Sequence, residues 1–362
     1  MRLSADGRDV VHTRKEAARL PRPPLIILDA LAEYLDEAGL GDGLIEWQRI
    51  GEGQSNVTYA IRRGTARFVV RRGPRPPLPR STHDMVREAR VQQFVGGFDV
   101  PVPAIMTVCT DENVLGVPFY VMEYLDGQVI TDTIPLSLDP PDRRCATGIA
   151  LVDLLLQLHR VPVDSAEART LGRPDGYLRR QVERFSGLWE GNTERELPEV
   201  GQLGRWLAGN LPDSQAASVV HGDFRMGNVM FAPGASASIL ALLDWEMATL
   251  GDPLADLGYL VATYAEPGRP SSVMELTTAT RAAGYATRAE LIHRYRDDSE
   301  LDLSALPWYE TLALWKAAIF CEAIYTRWLR GERPDDTSFG PALATGVPQL
   351  LELAAQSAAA LS

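Results

Sequence analysis

HGDFRMGN, residues 221–228, lies between two short apolar runs, Val219-Val220 and Val229–Phe231. Short Val- and Phe-rich runs bounded by polar residues read as strands, so the octapeptide is a loop pinned at both ends. A second polar loop begins at Asp244 in LLDWE, residues 242–246, directly after the apolar run Ile239–Leu243. A loop held at both ends by a sheet can aim several polar side chains at one point. Towards the N-terminus, Trp47–Ile61 and Ala66–Arg72 read as strands, the first interrupted at Gly51–Asn56. Residues 72–80 hold four prolines and form a loop. Residues 82–95 read as a helix, and Ala104–Cys109 and Phe119–Glu123 as two more strands around the acidic turn 111–113. Before this sheet, apolar residues recur at helical spacing over Leu25–Leu40, behind a polar arm of residues 1–22. Beyond Asp126-Gly127 the pattern is mainly helical, with helices expected over 143–160, 176–190, 252–265, 285–298, 305–330 and 340–360. The expected class is α+β. Residues 1–44 form an N-terminal arm and helix, 45–125 a small antiparallel β lobe with one helix, and 126–362 a large, mainly helical lobe.

Composition narrows the function classes. A chain of 362 residues is long enough for about two domains. Lys and Arg number 36 against 48 Asp and Glu, a formal net charge of -12, which argues against a nucleic-acid partner. Cys109, Cys145 and Cys321 are widely spaced and form no CxxC pair, so neither a disulfide framework nor a zinc site is expected. The N-terminus alternates charges without the apolar core of a secretory signal. The longest apolar stretch, Ile149–Leu158, is broken by Asp153 and Gln157 and falls short of the roughly 18 residues a membrane span needs. These features suit a cytoplasmic protein with reduced thiols and no membrane partner.

The chemistry resides in the two polar loops. Asp223 and Asn228 are five positions apart, as are the Asp and Asn of the HRDxxxxN loop in protein kinases. There the Asp accepts the substrate hydroxyl proton and the Asn binds magnesium. Arg225 stands where those enzymes carry a lysine that meets the transferring phosphate. Asp244, sixteen residues after Asn228, takes the position of the DFG aspartate. Magnesium prefers hard oxygen ligands and keeps several waters, so one Asp and one Asn plus substrate phosphates are enough to hold it. Only Trp245–Gly251 separates Asp244 from the next helix. Protein kinases place a long activation segment there, so a peptide-docking platform has no room and the acceptor is expected to be small.

HGDFRMGNVMF followed by ILALLDWEMATLGDPLADL resembles the aminoglycoside phosphotransferase and choline kinase family. The likeness is strongest to the branch fused to acyl-CoA dehydrogenases, and it runs from about residue 50 to about residue 328. It implies a two-lobed, protein-kinase-like fold and an ATP- and Mg2+-dependent transfer to a small-molecule hydroxyl. It also implies site residues. Asp223 would be the base, Arg225 a charge-offsetting group on the phosphoryl, and Asn228 and Asp244 the metal ligands. The loop Gly51, Gly53, Ser55 and Asn56 resembles the nucleotide-binding loop of the family, where glycines let backbone N–H groups approach phosphate. Arg71 replaces the usual phosphate-anchoring Lys, with Glu88 as its ion-pair partner. Glu123 and Leu125, in MEYL, resemble the hinge whose backbone reads adenine.

Blander readings compete at several positions. Asx residues also cap loops, but Asp223, Asn228 and Asp244 occur together in the kinase order. His221 reads as a brace for its loop. Asp252, before Pro253, reads as a helix cap. Asp256 either supports the catalytic-loop backbone or merely complements a helix dipole. Glu246 is either a metal or substrate group or an exposed acid. The run Arg71–Arg75 reads as a solvated loop or an anion-binding surface. Trp308, Tyr309, Trp315 and Trp328 read as core. The alternatives to a small-molecule kinase are a non-catalytic nucleotide-binding pseudokinase, suggested by the missing Lys, and a protein kinase.

Overall fold

The computed structural model describes residues 9–51, 56–76, 84–234, 236–333 and 336–361. The chain divides into two compact units, Met1–Gly97 with Pro101–Asp126, and Phe98–Val100 with Gly127–Ser362. The expected α+β class holds.

The first unit runs β1 (Val10–Val11), α1 (Arg14–Ala17), β2 (Ile26–Ile27), α2 (Leu28–Glu37), β3 (Ile45–Ile50), β4 (Val57–Arg63), β5 (Ala66–Arg72), α3 (Met85–Gly96), β6 (Ile105–Cys109), α4 (Glu112–Leu115) and β7 (Phe119–Glu123). Five strands form one antiparallel sheet in the order β3-β4-β5-β7-β6. Alternation sets its inner face, because successive strand residues point to opposite sides. Tyr59, Ile61, Phe68, Val70, Phe119 and Val121 pack with Leu31 and Leu35 of α2. On the other face, Tyr120 packs with Met85 and Ala89 of α3, and Asp84 caps α3 by accepting from the Arg87 N–H.

Two local expectations change here. The helix expected from Leu25 starts at Leu28, because Ile26 and Ile27 pair in parallel with Val10 and Val11. The acidic turn 111–113 opens the short helix α4, which ends at left-handed Gly116.

The second unit contains β8 (Gln128–Val129), α5 (Pro141–His159), α6 (Tyr177–Asn192), α7 (Pro198–Gly209), β9 (Ser218–Val220), β10 (Val229–Phe231), β11 (Ile239–Leu242), β12 (Thr249–Gly251), α8 (Leu254–Thr263), α9 (Arg288–Asp298), α10 (Leu306–Leu329) and α11 (Phe339–Ala359). Its strands form a three-stranded sheet, β11-β10-β8, and a two-stranded ribbon, β12-β9. α10 is the axis of the helical packing. Trp308 and Trp315 are fully buried on it, and their indole N–H groups donate to the carbonyls of Leu207 and Val200 at 3.2 and 3.0 Å. Gly258 lets α8 lie against the same helix, since a Cβ there would come within 2.5 Å of Tyr309 Cβ. Among the described residues, no helix is long and apolar enough to cross a membrane.

Candidate active site

The short strands of the second unit bring its two polar loops together. Loop 221–228 joins β9 to β10, and loop 243–248 joins β11 to β12. β10 pairs with β11 and β9 with β12, so the two loops run side by side. The Leu243 N–H donates to the Asn228 carbonyl at 2.8 Å. His221 completes the tie. Its Nδ1 accepts from the Asp223 N–H at 3.3 Å, which leaves Nε2 as the donor to the Leu243 carbonyl at 3.0 Å. The fully buried imidazole is therefore a brace, as expected of it.

α8 anchors the start of the loop. Asp256, fully buried, accepts from the N–H groups of His221 (2.6 Å) and Gly222 (2.8 Å). His159 Nε2 stands 3.6 Å from the same carboxylate. Asp256 thus holds the loop backbone and does more than complement a dipole. Gly222 has φ +84, and a Cβ on it would lie 2.8 Å from the Met247 carbonyl oxygen, so the position excludes side chains on two counts. Asp252 Oδ1 accepts from the Leu254 N–H at 3.0 Å and Oδ2 from the Tyr309 hydroxyl at 2.9 Å. The N-cap position of α8 is Pro253, so Asp252 binds the first helical N–H from one residue further out than expected, and burial raises its carboxyl above its ordinary value.

This frame presents Asp223. Its Oδ2 accepts from Asn228 Nδ2 at 2.8 Å, and the same amide donates to the Asp223 carbonyl at 2.8 Å. Both amide hydrogens are committed to Asp223, so the Asn228 oxygen faces away from it. Arg225 Nε lies 3.4 Å from both carboxylate oxygens. Oδ1 accepts from the Tyr259 hydroxyl at 2.5 Å. Burial and the adjacent carboxylate push that phenol well above its usual range, so Tyr259 keeps its proton and acts as donor. Asp244 adopts φ +67, a left-handed conformation uncommon for a residue other than glycine. Next to it Trp245 is fully buried and donates to the Leu242 carbonyl at 3.1 Å. The amide oxygen of Asn228 and the carboxylate of Asp244 are both hard oxygen donors, a set that suits magnesium.

In the first unit Arg71 Nε donates to Glu88 Oε1 at 2.7 Å, and Glu88 is 1% exposed. Tyr120 donates to the same oxygen at 3.0 Å, and Asn56 Nδ2 donates to Oε2 at 3.3 Å. Asn56 is itself buried, so its side chain braces the ion pair. Gly51 is left-handed at φ +72, whereas Gly53 and Ser55 lie outside the described residues. Glu123 closes β7, its N–H donating to the Ala104 carbonyl at 2.8 Å, and Leu125 follows as a half-buried residue beyond the strand. Arg72 departs from both readings of the Arg71–Arg75 run. It is fully buried, donates to the carbonyls of Gly73, Leu25 and Pro74, and has its pKa pushed down to about 10 by burial.

A cavity of about 430 Å3 lies beside α6, lined by Arg173, Arg180, Arg184, Glu183, Gln181 and Thr249 among others. Thr249 pairs with Val220, the residue before His221. Lys316 donates to Gln181 at 3.0 Å, and burial together with Arg184 pushes its pKa down to about 8.

Sequence reasoning missed Tyr259 and Tyr120 as partners of the two key carboxylates. A tyrosine within an apolar pattern reads as core. The available signal for Tyr259 was its place one helical turn after Asp256.

Residues 46–291 match the model of the phosphotransferase enzyme family. Among curated proteins, acyl-CoA dehydrogenase family member 11 of Homo sapiens is 34% identical over 292 residues, 79% of this chain and 37% of that protein. Acyl-CoA dehydrogenase family member 10 of Mus musculus is 32% identical over 326 residues, 86% of this chain and 29% of that protein. The chain thus spans about a third of the length of these relatives. Among solved structures, a Ralstonia eutropha protein classed as an aminoglycoside phosphotransferase superposes with TM-score 0.70 at 25% identity, covering 91% of this chain and 98% of that one. Choline kinase from Cryptosporidium parvum superposes with TM-score 0.57 at 10% identity, over 91% of this chain and 94% of its own, a likeness of fold.

Proposed function

Because the chain belongs to the phosphotransferase enzyme family, we propose that it is an ATP- and magnesium-dependent enzyme that moves the γ-phosphate to a hydroxyl of a small molecule. The observation that carries this reading is the Asp223 carboxylate held by Asn228 and Arg225, in a loop whose backbone is locked by Asp256. Magnesium, when bound, offsets phosphate charge, with Asn228 and Asp244 as its protein ligands. Asp223 accepts the acceptor's hydroxyl proton, and Arg225 balances charge on the transferring group. In the first unit Arg71, fixed by Glu88, grips the α/β-phosphates. A guanidinium pairs with phosphate through two parallel N–H groups, which suits it to replace a lysine here. Gly51 and Asn56 belong to the nucleotide-binding loop, and Glu123 and Leu125 offer backbone groups to adenine. Catalysis is then chiefly positioning and electrostatics.

Two acceptor types fit the family, aminoglycoside-like and hydroxyacyl-CoA-like. The Arg173, Arg180 and Arg184 cavity favours the second, because a polycation would be repelled there and an acceptor bearing phosphates would not. A pseudokinase is disfavoured by the complete set of Asp223, Asn228 and Asp244.

The deciding experiment is Asp223→Asn, assayed by ADP release across aminoglycosides, amino alcohols, sugars and hydroxyacyl-CoAs. Turnover is expected to fall by about 10²–10⁴-fold, the usual worth of a general base, with ATP affinity preserved. Unchanged turnover removes Asp223 from the mechanism.

A further inference from the structure

We propose that Tyr259 is a positioning residue for Asp223, so that α8 aims the base as well as anchoring its loop. This rests on the phosphotransferase reading above.

Among the described residues, three donors reach the Asp223 carboxylate, and they divide between its oxygens. Asn228 takes Oδ2 at 2.8 Å, Arg225 straddles both at 3.4 Å, and Tyr259 alone donates closely to Oδ1. Asn228 and Arg225 belong to the same loop as Asp223 and move with it. Tyr259 does not. It stands on α8, which Gly258 allows to pack closely against α10. It is therefore the contact that ties the carboxylate plane to the rigid helical body rather than to the loop.

The geometry of α8 makes this a paired device. Asp256 and Tyr259 are three residues apart and share one helix face. Asp256 grips the backbone at residues 221 and 222, and Tyr259 grips the side chain at residue 223. Backbone anchoring alone leaves χ1 of Asp223 a choice of staggered wells and its terminal carboxylate torsion broad. A donor on each oxygen removes that freedom. A misplacement of about 1 Å at a reacting group can cost about 10²-fold in rate, so fixing the plane matters for transfer more than for binding.

The test is Tyr259→Phe, alone and combined with Asp223→Asn, assayed by ADP release from Mg·ATP with kanamycin, choline and 3-hydroxybutyryl-CoA as acceptor probes. The expected result is a kcat reduced about ten- to hundredfold. The KM values for ATP and acceptor stay within about twofold, because the contact is not made to either substrate. In the Asp223→Asn background the same change adds no further loss, since coupled groups act non-additively. A Tyr259→Phe enzyme with unchanged kcat overturns the inference. So does a loss that adds in full to that of Asp223→Asn, because it marks a purely structural role. If Asp223→Asn itself retains full turnover, or the wild type releases no ADP with any probe, the underlying reading fails and this inference goes with it.

Discussion

Asp256→Asn separates two roles that one buried acid can play. If Asp256 only complemented the α8 dipole, its charge would contribute about 0.3–1 kcal/mol. The structure assigns it more. Its two oxygens accept from the His221 and Gly222 N–H groups at 2.6 and 2.8 Å, and the residue is fully buried. Asparagine keeps the shape but replaces one oxygen by an NH2 group. One backbone N–H then faces a donor, which loses a charge-assisted bond and leaves a buried donor unpaired. Either effect is worth about 1–3 kcal/mol. Taking about 3 kcal/mol for the pair, the melting temperature should drop by roughly 6–12 °C in a unit of this size. Turnover should fall at least tenfold, because residues 221 and 222 carry Asp223. Calorimetry gives the first number and ADP release the second. Hydrogen exchange at the amides of residues 221 and 222 should speed up together. A variant that melts within about 2 °C of the wild type with normal turnover would refute the anchoring role, since only the dipole contribution would then remain.

Other substitutions probe neighbouring links. Gly222→Ala places a side chain at φ +84 and 2.8 Å from the Met247 oxygen. The left-handed backbone alone costs about 1–2 kcal/mol, and kcat should fall with it, as melting curves and ADP release together would show. Glu88→Gln removes the charge that fixes Arg71, so the KM for ATP should rise about tenfold, with a smaller change in acceptor KM, which steady-state kinetics would reveal. Lys316 lies behind the cavity wall and holds Gln181, which lines it, and its pKa, pushed down to about 8 by burial and Arg184, places the loss of its charge between pH 7 and pH 9. The KM for 3-hydroxybutyryl-CoA should therefore rise between pH 7 and pH 9 if the cavity takes anions, and Lys316→Met should flatten that rise.

What could be read from the sequence depended on how local each signal is. Asp223, Asn228 and Asp244 stand in a short linear pattern, so their proximity followed from two loops on adjacent strands. The long helices α5 and α11 carry apolar faces, and α10 is apolar nearly all round, as a helix at the centre of the packing must be. By contrast α7 (Pro198–Gly209) went unread. Gly201, Gly204 and Gly209 lower its helix propensity, and it is held by the indole donors of α10 at Val200 and Leu207, partners more than a hundred residues away. β12 is three residues long and exists through its pairing with β9. Arg72 sits in an arginine-rich run that looks solvated, and besides the neighbouring carbonyls of Gly73 and Pro74 it is held by those of Pro24 and Leu25, far back in the sequence. Tyr259 is the same kind of case, since its meaning lies in a hydroxyl aimed across the fold.

The spacing of Asp256 and Tyr259 on α8 also bears on where this chain can change length. Each residue along an α-helix turns the side chain by about 100°. One residue inserted between Asp252 and Asp256 would turn the face that carries both the loop anchor and the Asp223 contact by about 100° away from the loop. The stretch 264–287, by contrast, follows α8 and precedes α9 with only one short 3-10 turn, at Thr278–Arg281. Related chains should therefore keep the number of residues from 244 to 259 constant while accumulating insertions and deletions after residue 264.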